Sequence, residues 1–223
     1  MRKILPAATV CLFLASSSFA DGWSLGVGTG PFVFGEFAER SSTIVTETGS
    51  LTSHTKLSAA TRPGGTADVE HSIGKGRFAV RLEASWTRAP MRIKGSGGSG
   101  VSFEAGHASI ATVAMPIVFT LNPRGTFRFR LGAGPAYAFY KMTARQAGGV
   151  SLPLFEGTRG RWGGIAGGGV EWWLSDRFAV EADANDIVTT SPFRRSDFGT
   201  SFGGLKIPKT HNVHTTVGIR YRL

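Results

Sequence analysis

The chain has almost no cysteine: Cys11 stands alone, near the amino terminus. One thiol allows no internal disulfide, no Cys-built metal site and no dithiol redox couple. Long apolar runs are missing as well. Beyond the first 20 residues no stretch of 18 or more apolar side chains occurs, which excludes a transmembrane helix there. Acids are scarce beside bases, 15 against 25, so the formal charge is +10 and an anionic partner is expected. The 5 histidines are scattered: His54 and His71 are isolated, and His211 and His214 have no flanking carboxylate. No metal and no cofactor is expected from them. The glycines of 163–169 are not a phosphate loop, because no helix follows to present its amides.

What is present begins with a leader. Arg2 and Lys3 precede an apolar stretch, Ile4 to Leu14, and Ser18-Phe19-Ala20 offers small residues at a peptidase site. A cleaved signal peptide over 1–20 follows, with one domain over 21–223. The stretch is too short for a spanning anchor. Cys11 sits inside the apolar part with no lipoprotein-like triplet before it, and leaves with the leader. Losing Arg2 and Lys3 lowers the formal charge from +10 to +8. Export makes nucleic acid an unexpected partner and leaves lipopolysaccharide phosphates as the natural anion.

Glycine is abundant at 31 residues, ten prolines punctuate the chain, and apolar residues alternate with polar ones. That pattern reads as all-β. Eight strands are expected: Trp23–Phe37, Thr66–Ile73, Phe78–Trp86, Ser102–Leu121, Phe127–Phe139, Arg161–Leu174, Phe178–Asn185 and Val213–Leu223. Between them, Arg40–Pro63 reads as a long polar loop with ragged strand extensions. Gly95–Gly100, Gln146–Gly160 and Ser191–Pro208 read as further loops. Gly74-Lys75-Gly76, Asn122-Pro123-Arg124-Gly125 and Ser175-Asp176 read as tight turns. Short turns on one side and longer loops on the other suit an even-stranded membrane barrel. Trp23, Trp86, Phe119, Phe127, Tyr137, Trp172, Phe178 and Tyr221 fall near strand ends, where interfacial girdles belong.

The closing stretch, V-H-T-T-V-G-I-R-Y-R-L, puts Val213, Thr215, Val217, Ile219, Tyr221 and Leu223 on one face. It resembles the closing strand of bacterial outer-membrane β-barrels, with Leu223 where Phe is commoner. Gly167 to Val180, a glycine-rich strand leading through Glu171-Trp172-Trp173 and a short polar turn, resembles the penultimate hairpin of small OmpA, OmpW and opacity-type barrels. The resemblance implies an eight-stranded antiparallel up-and-down transmembrane β-barrel in the outer membrane of a Gram-negative bacterium. It also implies that Val217, Ile219, Tyr221 and Leu223 form a signal read by the outer-membrane assembly machinery.

Strand parity places Arg81, Glu83, Arg128, Arg130, Glu171, Glu181, Asp183, Arg220 and Arg222 on the face opposite the apolar one. In a membrane barrel that face is the lumen, and an eight-stranded lumen is barely wide enough for side chains. A charged, filled interior is expected; the alternative is a narrow channel for small or apolar solutes. Arg88, Arg92, Lys94, Arg159, Arg161, Arg194 and Arg195 lie towards the long-loop ends and are candidates for lipopolysaccharide phosphates. His107 and Ser109 resemble the His/Ser pair of outer-membrane lipid A deacylases. However, the Asn after that family's serine is Ile110 here, and its acidic segment is missing. A structural or surface-interaction role without enzymatic activity is expected, with the loop ligand unspecified. A lipocalin-like soluble barrel would reverse the parity, with apolar residues inside.

Overall fold

Alternation forces this chain into strands, and closure of those strands forms the molecule. The computed structural model describes residues 22–46, 49–96, 102–144, 156–198 and 204–223. The expected leader, the tip of the Gly95–Gly100 loop and most of the Gln146–Gly160 loop lie outside the described residues, as does the middle of Ser191–Pro208.

The strands are β1 (Trp23–Phe34), β2 (Glu36–Thr46), β3 (Gly49–Ala59), β4 (Arg62–Ile73), β5 (Phe78–Ser96) and β6 (Ser102–Ala114). They continue as β7 (Ile117–Leu121), β8 (Phe127–Ala144), β9 (Gly157–Trp173), β10 (Phe178–Thr190), β11 (Leu205–Lys206) and β12 (Lys209–Arg222). All pairings are antiparallel. Around the wall, β1 pairs β4, β4 pairs β5, β5 pairs β6 and β7, and both of those pair β8. The circuit closes through β9, β10 and β12 back to β1, with Val27 opposite Ile219. Counting β1 with β2, β3 with β4, β6 with β7 and β11 with β12, this is an eight-stranded up-and-down barrel. Beside the seam, the Leu223 N–H donates to the Trp23 carbonyl at 3.1 Å.

Two differences from the sequence reading have clear causes. Residues 40–63 are mostly a hairpin, not a loop: β2 and β3 pair from Glu36↔Ser58 to Thr46↔Gly49. Here the ladder rests on polar cross-strand pairs, Ser41 with His54 at 2.9 Å and Thr43 with Thr52 at 3.2 Å. Thr is β-branched and suits a strand without any apolar alternation to announce it. β3 then pairs the outer half of β5, Ala59↔Met91 to His54↔Ser96, so the wall continues past the short strand end at Trp86. The second difference is the break between β6 and β7 at Met115 and Pro116, where proline lacks the N–H a ladder needs. Strands β5, β8, β9, β10 and β12 also run further outward than the alternation alone delimits.

The short turns share one end. Asn122 takes the left-handed conformation there (φ 54°), which Asn tolerates, and the Gly125 N–H donates to the Asn122 carbonyl at 3.0 Å. The outer face is apolar: Leu82, Met115, Ile117, Leu131, Val217 and Ile219 are all more than half exposed. A soluble, lipocalin-like arrangement is thereby excluded, because the charges face in. At the turn end the face carries three aromatic pairs, Phe78–Phe119, Phe127–Trp172 and Phe178–Tyr221, with centroids 5.3, 5.6 and 4.9 Å apart. Towards the loop end stand Trp86 and a Tyr137–Phe139–Trp162 group, with Tyr137 4.6 and 4.8 Å from the other two. Eight to ten residues separate the two girdles along β5 and β8. At about 3.3 Å per residue and a tilt of about 40°, that is about 20–25 Å, the height of a membrane barrel's apolar band.

Leu131→Arg, outward and midway between the girdles, is expected to destabilise the barrel in lipid vesicles by about 2–4 kcal/mol. Leu174→Arg, beyond the turn-end girdle, is expected to cost no more than about 1 kcal/mol. Urea titration of folding into vesicles measures both, and equal costs would contradict the assigned depth.

Candidate functional site

The lumen is filled in two layers, each dictated by the inward parity of the strands. In the turn-side layer, three guanidiniums are buried: Arg81 from β5, Arg130 from β8 and Arg220 from β12, the last 1% exposed. Six buried carboxylates surround them: Asp68 and Glu70 from β4, Glu83 from β5, Glu171 from β9, and Glu181 and Asp183 from β10.

Arg220 is the hub. Its Nε reaches Glu181 at 2.9 Å and Glu171 at 3.1 Å, its Nη2 reaches Asp68 at 2.7 Å, and its Nη1 donates to Ser24 Oγ at 3.0 Å. Arg81 donates through Nε to Glu70 at 3.0 Å and reaches Asp183 at 3.4 Å. Arg130 pairs with both Glu70 and Glu171. Each guanidinium thus touches acids from at least two different strands, so the network ties the wall together across the lumen. Space for it comes from glycine. A Cβ on Gly26 would run into the Asp68 carboxylate and Arg220, and one on Gly169 into Asp183.

Above this layer, His214 is buried between Glu83, 3.1 Å away, and Asn185, 3.3 Å away, and its ring stacks on Phe32 at 5.0 Å. Phe32 begins the second layer, an apolar one. Phe34, Phe37, Met91, Ile110, Tyr140 and Met142 fill the loop-side half, capped by Phe193 and Leu205 from the last connection. Its aromatic hydroxyl is answered: the Tyr140 hydroxyl lies 2.9 Å from Thr189 Oγ1 and accepts from Asn212 at 2.8 Å.

Not every expected lumen charge joins the network. Arg128 and Arg222 point inward but lie at the turn-side mouth, half-buried, over the Trp173 ring at 4.5 and 4.1 Å. Parity gives a residue's face and not its depth. Asp68 and Glu70 were missed, although they alternate with Val69 as Arg81 and Glu83 alternate with Leu82.

The basic residues near the loop ends divide in the same way. Arg159 and Arg161 follow the inward parity of β9 and hold the last connection down: Arg161 donates to the Ser191 and Pro192 carbonyls at 2.7 Å each, and Arg159 to Pro192 at 3.0 Å. Arg195 donates to the Leu205 carbonyl at 2.9 Å. Arg88, Arg92, Lys94 and Arg194 are exposed. Arg88 and Lys141 are the two cross-strand partners of Ser109, forming an outward row one step beyond the Trp86 and Phe139 level. His107 and Ser109 both lie on that outward side, half-buried, and His107 faces Glu104 at 3.8 Å. The row Val217, Ile219, Tyr221 and Leu223 lies on the outer face of β12, with Tyr221 against Phe178.

Asp197 completes the loop clamp, accepting from the Arg194 N–H at 2.7 Å and pairing with Arg159. Partial burial pushes its carboxyl up, but the Arg194 N–H and Arg159 outweigh that and hold it below the usual value. A carboxyl lowered on folding stabilises above its unfolded pKa and loses that contribution as pH falls through the folded one. The clamp is therefore expected to hold at neutral pH and to release only as pH falls below the ordinary aspartate range. Protease cleavage within 191–198 is expected to rise on acidification, and Asp197→Asn to show the acid behaviour at pH 7. An Asp197→Asn cleavage rate equal to that of the native chain at pH 7 would refute the clamp.

Arg220→Met is expected to cost about 3–5 kcal/mol in vesicle unfolding, because it strands buried carboxylates. Arg222→Met, at the mouth, is expected to cost about 1 kcal/mol or less. Similar costs for the two would contradict the hub assignment.

No protein-family model matches this chain, and no curated protein matches it. Among solved structures, the outer membrane protein OprG from Pseudomonas aeruginosa superposes with a TM-score of 0.56 at 11% identity, covering 89% of this chain and 94% of that one. Neisserial surface protein A gives 0.48 at 10% identity, over 91% and 98% of the two chains. The protein AlkL, solved in lipid bilayers, gives 0.46 at 12% identity, over 99% and 96%. The OprG likeness, at that identity, speaks for the fold. Together with the apolar exterior and the closed strand circuit, it gives this chain the fold of the small eight-stranded outer-membrane β-barrel proteins.

Proposed function

We propose that this protein is a non-enzymatic outer-membrane barrel of a Gram-negative bacterium, exported with a cleaved signal peptide, whose work is done on its outer surfaces. The observation that carries this reading is the filled lumen: a salt-bridged layer on the turn side and an apolar layer on the loop side, capped by Phe193 and Leu205. A solute crossing it would have to displace buried ion pairs and then a packed aromatic core. What remains for interaction is the outer end and the lipid-facing wall.

At the outer end the β2–β3 hairpin rises above the girdle and carries the polar cross-strand pairs Ser41–His54 and Thr43–Thr52, a surface suited to meeting another molecule. On the wall, the Arg88–Ser109–Lys141 row stands at headgroup height, and among the described residues neither cation makes an ion pair. Lipopolysaccharide phosphates are the anions found at that height, and guanidinium and ammonium groups suit them. Arg92, Lys94 and Arg194 extend the same reading. The β12 row ending in Tyr221 and Leu223 serves as the assembly signal. An enzymatic reading has little support: His107 and Ser109 face outward, no described hydrogen bond joins them, and the carboxylate beside His107, that of Glu104, stands 3.8 Å off, beyond hydrogen-bond distance.

In planar bilayers the purified barrel is expected to give no resolved, steady conductance, and the variant Arg88→Gln/Lys141→Gln to retain several-fold less lipopolysaccharide through purification at unchanged heat-modifiability. Reproducible single-channel steps would overturn the filled-barrel reading in favour of a narrow channel.

A further inference from the structure

The turn-side mouth of the barrel is an open cup with a volume of about 470 Å³, within the range of small-molecule sites. Its floor is the charged layer, where Glu70 and Glu171 reach the cup. Both are already engaged, Glu70 by Arg81 and Arg130, Glu171 by Arg130 and Arg220. Its wall and rim are cationic. Arg128 and Arg222 line it from β8 and β12, and Lys75 and Arg124 from two of the short turns.

The arrangement of the two wall arginines is unusual. Both guanidiniums rest on the same indole, that of Trp173, at 4.5 and 4.1 Å from its centroid. The indole is itself fixed, its Nε1–H donating to Glu171 at 2.9 Å. Among the described residues neither arginine makes an ion pair, and Arg128 uses its Nε on the Gly125 carbonyl at 3.1 Å. Two like charges are therefore held as neighbours on a rigid platform, with terminal N–H groups uncommitted. That is a preorganised receptor for an oxyanion, because planar guanidinium forks match a tetrahedral phosphate two N–H groups at a time.

We propose that this cup binds a soluble phosphate-bearing solute from the side of the short turns, with Arg128 and Arg222 as its principal ligands and Lys75 and Arg124 closing over it. Phosphate could in principle arrive on a lipid headgroup or on a free solute. The geometry favours the free solute, because a closed ladder of strands separates the cup from the lipid and its opening is axial.

The test is calorimetric titration of the whole folded barrel in zwitterionic micelles with pyrophosphate at constant ionic strength. Saturable binding of one pyrophosphate per barrel is expected, weakened at least tenfold in Arg128→Gln and in Arg222→Gln. It should weaken several-fold in Lys75→Gln/Arg124→Gln, whose changes lie on turns and leave the wall intact. Heat-modifiability of each variant establishes that it is folded. Vesicles containing phosphatidylglycerol form the second arm and are expected not to compete with pyrophosphate. The proposal is overturned if no heat is exchanged at millimolar pyrophosphate, if chloride of equal ionic strength displaces it as well, or if anionic vesicles compete. It is equally overturned if the arginine variants bind normally, or if their one effect is a less stable barrel, which would make these cations mere counter-charges to the layer below.

Discussion

Everything in this molecule depends on the solvent outside the wall being hydrocarbon. Lipid offers no hydrogen bonds, so a sheet crossing it must satisfy its own backbone and therefore close. Closure fixes which face of each strand looks out, and the outward set must be apolar. The polar half of each alternation then has nowhere to go but in. An eight-stranded circuit leaves a lumen hardly wider than its own side chains. The buried network of Arg81, Arg130 and Arg220 with six carboxylates is the consequence: charges excluded from lipid and too crowded for bulk water must satisfy one another. Such a network need not add much net stability, since desolvation offsets most of the attraction, but it penalises every register in which a partner is missing. A one-residue slip of β4, β5, β8, β9, β10 or β12 would put a buried arginine or carboxylate into lipid and apolar side chains into the charged layer.

The two lumen layers divide the labour between specificity and adhesion. On the turn side, ion pairs that span several strands define which strands are neighbours. On the loop side, Phe37, Tyr140 and Phe193 pack edge-to-face or tilted, with centroids near 6 Å, and behave as an ordinary hydrophobic core placed inside a membrane protein. His214, bonded to Glu83 and stacked on Phe32, belongs to both and marks the boundary. The last connection joins this core by the same logic: its Phe193 goes in, and its carbonyls are answered by Arg159 and Arg161.

Much of the fold was legible in the sequence because the alternation is strict where lipid enforces it. From Phe78 to Trp86 and from Phe127 to Phe139 every second residue had to be apolar, so the strands announce themselves. Past the headgroups that pressure ends, and there the sequence gives less away. Thr43, Thr52, Ser41 and His54 pair in a hairpin no hydrophobic period could reveal. The same physics explains the site. Parity gave the inward face of Arg128 and Arg222 as readily as that of Arg130 and Arg220, but depth is a property of the assembled register and no local pattern encodes it. Likewise Arg159 and Arg161 look like any other exposed basic pair until the chain 30 residues on folds back over them.

The seam between β1 and β12, with Trp23 and Leu223 side by side, has a bearing on how such a molecule comes to exist. Its partners stand nearly the whole described chain apart, so the contact that turns a sheet into a barrel carries the largest loop-closure entropy and must form late. Until it does, the chain is an open sheet with two bare edges and one greasy face, able to pair with any strand it meets. Sealing is thus a single event that removes both edges together, and the half-made protein is the hazardous one. A chain built this way gains from being escorted until its far ends meet.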